Sequence, residues 1–239
     1  MSGHSKWSTI KRKKGAIDAE RSKIFQKLAK EIYVAAKSGD ADPNNNAALR
    51  MVIEKAKGQN MPKSNIQSAI DKAKSKNATD SFDAIMYEGY GPNGIAIMIE
   101  CLTDNKNRTA SFVRSTLTKR GGNLGTDGSV SYLFKRKGLL ILDKEYEEDK
   151  LMEDIIELNV EDFNVLDDSY EIIVLPNDFI SVKEALENMG YDKFSLSEVT
   201  YIPDNYITLD EEAKEKVLNL IDSLEQLDDV QNVYHNLDI

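Results

Sequence analysis

The sequence predicts a multidomain fold of α and α+β parts. An N-terminal three-helix bundle takes residues 1–76, an α+β middle domain takes 77–137 plus 204–239, and a ferredoxin-like α+β domain, 138–203, is inserted into it. Three observations lead there. Apolar residues recur at helical spacing through the first 76 positions and then lose it. From Gly138 the elements run β-α-β-β-α-β. After residue 203 only one helix and one short strand remain, too little for a core of their own, so they must complete an earlier one.

In the head, Arg21 to Lys37 sets Ile24, Leu28 and Ile32 four apart, widened by Phe25 and Ala36, and Gly39 stops the helix. After the breakers at 38–44, Asp42 as N-cap and Pro43 at the first helical position open a second helix on Ala47, Ala48, Met51, Val52 and Ala56, closed by Gly58. Pro62 opens a third, with Ile66, Ala69, Ile70 and Ala73. The turn between these two is compatible with a helix-turn-helix, a common arrangement that is weak evidence by itself.

Tyr87 to Gly94 followed by Ile95 to Leu102 reads as strand, turn, strand. Asn105 to Arg120 is helical on Ala110, Val113 and Leu117, and its exposed side carries Lys106, Arg108, Arg114, Lys119 and Arg120. The glycine-rich run 121–128 lacks a following Gly-Lys-Ser/Thr, and Val130 to Phe134 reads as strand, so nucleotide hydrolysis is not expected. Its glycines supply positive φ in a turn, with backbone N–H groups that could meet a nucleic-acid phosphate.

In the insert, Leu139 to Leu142, Asp162 to Leu166, Tyr170 to Leu175 and Lys193 to Tyr201 read as strands. Leu151 to Leu158 and Phe179 to Met189 read as helices. In the tail, Thr208 to Glu211 has the form of a capping box before a helix on Val217, Leu218, Ile221 and Leu224, and a strand follows at Val230 to Tyr234.

Charge is partitioned along the chain. The net charge is −10, yet residues 1–76 hold 17 Lys+Arg against 7 Asp+Glu, 77–137 hold 8 against 6, and 138–239 hold 6 against 28. Lysine-rich helix faces are usually solvated surface, but a basic head on an acidic body points to a polyanion at the head. The acidic insert repels nucleic acid and reads as a spacer, an electrostatic guide or a face for a basic protein partner, beside a plain role in solubility.

The head begins with an arm bearing Lys6, Lys11, Arg12, Lys13 and Lys14 and no acid, which like-charge repulsion keeps extended until a polyanion arrives. Trp7 has two readings: a ring that stacks on a base, or an anchor pinning the arm to its domain. The candidate nucleic-acid-binding set is Lys6, Trp7, Lys11, Arg12, Lys13 and Lys14 in the arm, and Arg21, Lys23, Lys27 and Lys30 in the first helix. Lys106, Arg108, Lys119, Arg120, Lys135, Arg136 and Lys137 complete it in the middle domain.

Catalytic signatures are missing. His4 and His235 stand at opposite ends, Cys101 is the single cysteine, and no zinc-ligand spacing, Cys/His pair or Gly-x-Ser-x-Gly elbow occurs. No catalytic residue, metal or cofactor is expected. Cys101 lies in an apolar run, where a buried reduced thiol is the default. No apolar run is long enough for a membrane span and no export signal is seen, so a cytoplasmic protein is expected.

Gly3-His-Ser-Lys-Trp7, Glu31-Ile-Tyr-Val-Ala-Ala-Lys37, Gly58-Gln-Asn-Met-Pro62, Tyr87-Glu-Gly-Tyr-Gly-Pro92, Gly121-Gly-Asn-Leu-Gly125 and Asp229-Val-Gln-Asn-Val-Tyr-His235 resemble the YebC family. That family includes the mitochondrial translational activator of cytochrome oxidase subunit I. The resemblance covers essentially the whole chain and implies the three-domain fold with a nucleic-acid-binding head. One departure is local: Ala73-Lys-Ser-Lys-Asn77 stands where glycine is expected. On function the resemblance implies a DNA-binding transcriptional regulator, the usual label, or a ribosome-associated RNA-binding translation factor that helps synthesis through difficult sequences. The partners expected are therefore DNA or ribosomal RNA, with the ribosome and a basic protein as further ones, and no membrane. An acidic protein-interaction adaptor is the reading from a different class.

Overall fold

The computed structural model describes residues 18–75 and 81–239. The expectations placed on Lys6, Trp7, Lys11, Arg12, Lys13 and Lys14 fall outside them. The described chain holds helices α1 (Asp18–Ser38), α2 (Ala47–Gly58) and α3 (Lys63–Lys74), then β1 (Asp83–Tyr90), β2 (Ala96–Thr103), α4 (Lys106–Lys119) and β3 (Asn123–Leu124). It continues with β4 (Phe134–Asp143), α5 (Glu148–Ile155), β5 (Val160–Val165), β6 (Ser169–Val174), α6 (Phe179–Asn188) and β7 (Phe194–Pro203), and ends with α7 (Glu211–Glu225) and β8 (Val230–His235). By packing it forms two compact units, Ile24–Ser75 with Arg136–Tyr201 in one, and 18–23, 81–135 and Ile202–Ile239 in the other.

In the first unit, Leu28, Ile32 and Ala36 of α1 share a core with Leu49 and Ala56 of α2 and Ile66, Ala69 and Ile70 of α3. Ile24, expected to begin the buried stripe, is 40% exposed, so burial starts one turn later. The N-cap of α2 is Asn46 and not Asp42. The Asn46 Oδ1 accepts from Leu49 N at 3.0 Å while its Nδ2 donates to the carbonyls of Ala35 and Asp40, so one buried amide ties the helix start to the end of α1. Asp42 instead accepts from Asn44 N at 2.9 Å, a local turn that competes with helix.

The same unit holds a four-stranded sheet in the order β5-β6-β4-β7, with β6 antiparallel to both β4 and β5. Leu140, Leu142, Tyr170, Ile172 and Val174 alternate onto one face, where Leu151 and Ile155 of α5 and Phe179, Val182 and Leu186 of α6 cover them. This is the ferredoxin-like arrangement. Glu54 of α2 and Lys183 of α6 pair at 2.9 Å with both side chains largely buried. Burial raises the Glu54 pKa, but hydrogen bonds and charge from Lys57 and Lys183 outweigh it and hold the carboxylate below its ordinary value.

In the second unit the sheet order is β3-β1-β2-β8, and the tail strand pairs antiparallel with β2, Ile97 opposite His235 and Ile99 opposite Val233. Ile95, Ile97, Ile99 and Cys101 pack under Val113 and Leu117 of α4 and Val217, Leu220, Ile221 and Leu224 of α7. Cys101 is a buried free thiol. Two local expectations are corrected. Helix α7 is capped by Asp210, whose carboxylate accepts from Ala213 N at 2.8 Å, while Thr208 donates to Asp238, so the capping box does not form. Ser131–Leu133 is a 3-10 turn and not strand, because a buried carboxylate, described next, captures the backbone there.

Candidate nucleic-acid interface

Helix α4 is started by Asn105, whose side chain accepts from Arg108 N at 3.0 Å, and is ended by Gly121 at φ +80°. Thr109, Val113 and Leu117 recur every four residues and are buried, which turns the other side of the helix outward. No Asp or Glu occurs from 105 to 120. One shallow depression on that outer side is lined by Asn107, Ser111, Arg114, Ser115, Thr118 and Lys119.

The cations divide into tied and free. Arg108 Nη2 lies 2.7 Å from Asp104 and 2.8 Å from Asp229, and the Thr109 and Thr103 hydroxyls bond the same Asp229 oxygen. Lys106 is 3.4 Å from Asp83, Lys135 is 2.9 Å from Asp204, and Lys137 is 2.5 Å from Glu161. By contrast, Arg114, Lys119, Arg120 and Arg136 are exposed, and their side chains make no ion pair or hydrogen bond among the described residues.

In the head, Arg21 and Lys23 are exposed on α1, whereas Lys27 and Lys30 are half-buried. Lys55 chelates Glu31 at 3.0 Å, and Lys37 and Lys72 stand 5.3 and 5.4 Å from the Tyr33 ring. Lys63 and Lys74, at the two ends of α3, are exposed and without a partner among the described residues. Of these free cations Lys63, Lys74 and Arg114 are not in the set drawn from the sequence. The partner that ties Arg108 lies 121 residues downstream, and no local pattern could separate tied from free.

The glycine-rich loop is committed inward. The buried Glu88 carboxylate accepts from Gly128 N at 2.9 Å, Val130 N at 2.7 Å and Ser131 N at 2.8 Å. Gly121, Gly122, Gly125 and Ser129 donate their N–H groups to Thr118, Leu117, Glu88 and Thr126 carbonyls. These amides therefore face the protein and cannot cradle a phosphate, as the sequence left open. Burial raises the pKa of Glu88, but the three backbone donors, Val130 first, outweigh it and hold the value below the ordinary one. Gly128 takes φ +82°, which favours glycine, and a Cβ at Gly125 would meet Ser129 Oγ at 2.4 Å, so that a larger residue there would have to displace Ser129.

Among the described residues no group of three or more His, Cys, Asp or Glu could hold a metal ion, and no helix is long and apolar enough to cross a membrane.

Two family models match the chain: "TACO1/YebC protein N-terminal domain" over residues 5–76 and "TACO1/YebC second and third domain" over 82–237. The chain is 54% identical over 241 residues to a "probable transcriptional regulatory protein" of Geobacillus kaustophilus, covering 100% of this chain and 98% of the relative. It is likewise 54% identical over 239 residues to one from Bacillus subtilis, covering 99% of each. The crystal structure of a conserved hypothetical protein from Aquifex aeolicus superposes with a TM-score of 0.82 at 43% identity, over 95% of this chain and 93% of the other.

Proposed function

Because the chain belongs to the TACO1/YebC family, we propose that it regulates gene expression in the cytoplasm by binding nucleic acid, without catalysing a reaction, as a DNA-binding transcriptional regulator of the kind its relatives are named for. The carrying observation is α4: an acid-free helix with Arg114, Lys119 and Arg120 uncommitted beside Ser111, Ser115 and Thr118. Guanidinium, ammonium and hydroxyl donors spaced along one helix suit phosphate oxygens and carry no base information. With the basic head, residues 1–76, this makes a backbone-tracking protein of low sequence preference.

A second reading, an RNA-binding factor on the ribosome, is favoured by α3. Gln67 spends its amide on Asp71 at 2.8 Å and Ser68 bonds back to the Ser64 carbonyl, so two side chains that would read a major groove are spent within the helix, while Lys63 and Lys74 at its ends suit phosphates. Backbone tracking is equally suited to irregular RNA. In either case the acidic insert supports a protein-facing role. Met152 and Ile156, 48% and 75% exposed and one turn apart amid Glu148, Asp149, Glu153 and Glu157, suit a partner with basic and aliphatic side chains.

The test is sucrose-gradient sedimentation of the protein in DNase-treated lysate at near-physiological salt, beside a variant with Lys11, Arg12, Lys13 and Lys14 changed to alanine. Co-migration with ribosomal particles that the variant loses makes the translation reading the correct one. If both stay at the top, duplex DNA is the substrate to pursue. Failure of the purified protein to bind any RNA or DNA at about 100 mM salt, where several phosphate contacts still hold, overturns both.

A further inference from the structure

Tyr132 is 70% exposed, second only to Ile156 among the large apolar and aromatic side chains of the described residues. A lone exposed aromatic is ordinary surface. This one differs in what holds it. It is the middle residue of the 3-10 turn Ser131–Leu133, and the backbone on both sides is locked. The N–H groups of Val130 and Ser131 donate to the buried Glu88, Leu133 N donates to the Val130 carbonyl at 2.9 Å, and the Tyr90 hydroxyl donates to the Ser129 carbonyl at 2.8 Å. Val130 is fully buried on one side of the ring's position and Phe134 is 6% exposed on the other. The turn is thus anchored at 129, 130, 131, 133 and 134, and the one side chain left outside is the ring. The ring itself makes no hydrogen bond or ring contact among the described residues.

We infer that Tyr132 is a preformed stacking platform for an unpaired nucleobase, with Lys135 supplying a nearby cation for the adjoining phosphate. The inference rests on the nucleic-acid reading above and adds the state of the ligand: a single strand or an extruded base, since a base inside a duplex has no free face. With the backbone of the turn already fixed, only the two side-chain torsions of the ring are left to order when it stacks, which is where a rigid mount contributes to affinity. Lys135 is 62% exposed and its pair with Asp204 is a surface pair of small worth, so a phosphate can replace the carboxylate. Phe112, 53% exposed on α4, is the natural contrast: it borders a depression lined by Asp228 and by Arg108, whose charge is already taken by Asp229 at 2.8 Å.

The experiment measures binding of the full-length protein to four labelled probes of equal length at about 100 mM salt. They are an oligouridine RNA, its deoxythymidine counterpart, a blunt duplex, and an abasic sugar-phosphate strand. Tyr132→Ala is expected to weaken binding to the two single strands by roughly 5- to 150-fold, the range of one base-aromatic stack, and to leave the duplex and the abasic strand within about twofold. Tyr132→Phe is expected to bind like the parent, because the face and not the hydroxyl is used, and Phe112→Ala is expected to change nothing. RNA and single-stranded DNA lose equally if the base face alone is recognised. An unchanged single-strand affinity in Tyr132→Ala, or an equal loss on the duplex or abasic strand, overturns the platform while leaving nucleic-acid binding standing. Absence of binding to every probe by the parent overturns the reading beneath it.

Discussion

The two four-stranded sheets share one plan, each backed on one face by two helices, yet their helices carry opposite chemistry. Helix α5 places Glu148 and Asp149 in its first turn, where carboxylates complement the helix dipole. Helix α4 places Lys106 and Arg108 in its first turn, against the dipole, and has no acid anywhere. Each misplaced charge costs roughly 0.3–1 kcal/mol at a surface helix, relieved here by Asp83, Asp104 and Asp229. Lys119 in the last turn and Arg120 at the C-cap complement the negative end of the dipole, and Arg114 stands in mid-helix with no acid on its own helix. The same layered fold therefore supports a helix that opens on acids and one that carries only bases, set against the dipole at its start and with it at its end.

The sharpest way to test whether these regions are independent is to damage each core. Leu117 of α4 and Leu186 of α6 are both fully buried. Each change to alanine is expected to cost about 2–5 kcal/mol. Hydrogen exchange reads where the loss falls: Leu117→Ala should speed exchange in β1, β2 and β8, and Leu186→Ala in β4, β5 and β6. If either variant speeds both sets equally, the two sheets open as one and the comparison collapses.

Glu88 and Glu54 provide the next largest effect, one in each unit. Glu88→Gln keeps the shape but weakens three charge-assisted bonds, for an expected loss of about 1.5–3 kcal/mol in a denaturant titration. The pH dependence follows from the sign of the shift. Both carboxylates are held below the ordinary 4.5, so the stability they add is fully present above that value and is lost as pH falls through their lower folded values. The parent should lose stability on acidification below 4.5 more steeply than Glu88→Gln does, and parallel curves would remove Glu88 from the account.

A smaller effect belongs to the free cations. Changing Arg114, Lys119 and Arg120 to alanine is expected to weaken binding to any nucleic acid by roughly tenfold and to lower the salt slope by two to three. The same number of changes at the tied Lys106, Arg108 and Lys137 should cost less affinity, because those charges already face Asp83, Asp229 and Glu161. Equal losses from both triples would mean that pairing does not decide which cations bind.

Periodicity made the insert legible because half-buried strands and amphipathic helices alternate there, and Gly190, at φ +95°, stops the second helix. The tail's pairing with β2 was legible by a different argument, since one helix and one strand cannot bury a core. What stayed hidden was decided at long range. Asn46 caps α2 through carbonyls of the preceding helix and loop, and Glu88 bends 128–131 into a turn from 40 residues away. The sorting of cations was hidden for the same reason, since Asp229 selects Arg108 and leaves Arg114 free.

The smallest effect sits on α5. Met152 and Ile156 are exposed while Leu151 and Ile155 fill the core, so the helix carries a second apolar pair about 100° round from its buried one. Changing Met152 and Ile156 to serine should cost no more than about 1 kcal/mol, since Ile156 is mostly exposed and Met152 only half-buried. It should also leave nucleic-acid affinity unchanged, because four carboxylates surround the pair. A loss of association with a basic protein under those conditions would identify this face as the insert's working surface. A fall in stability beyond about 1 kcal/mol would instead show that the pair is packed, and the contrast with the cationic, outward-facing α4 would then lose its acidic counterpart.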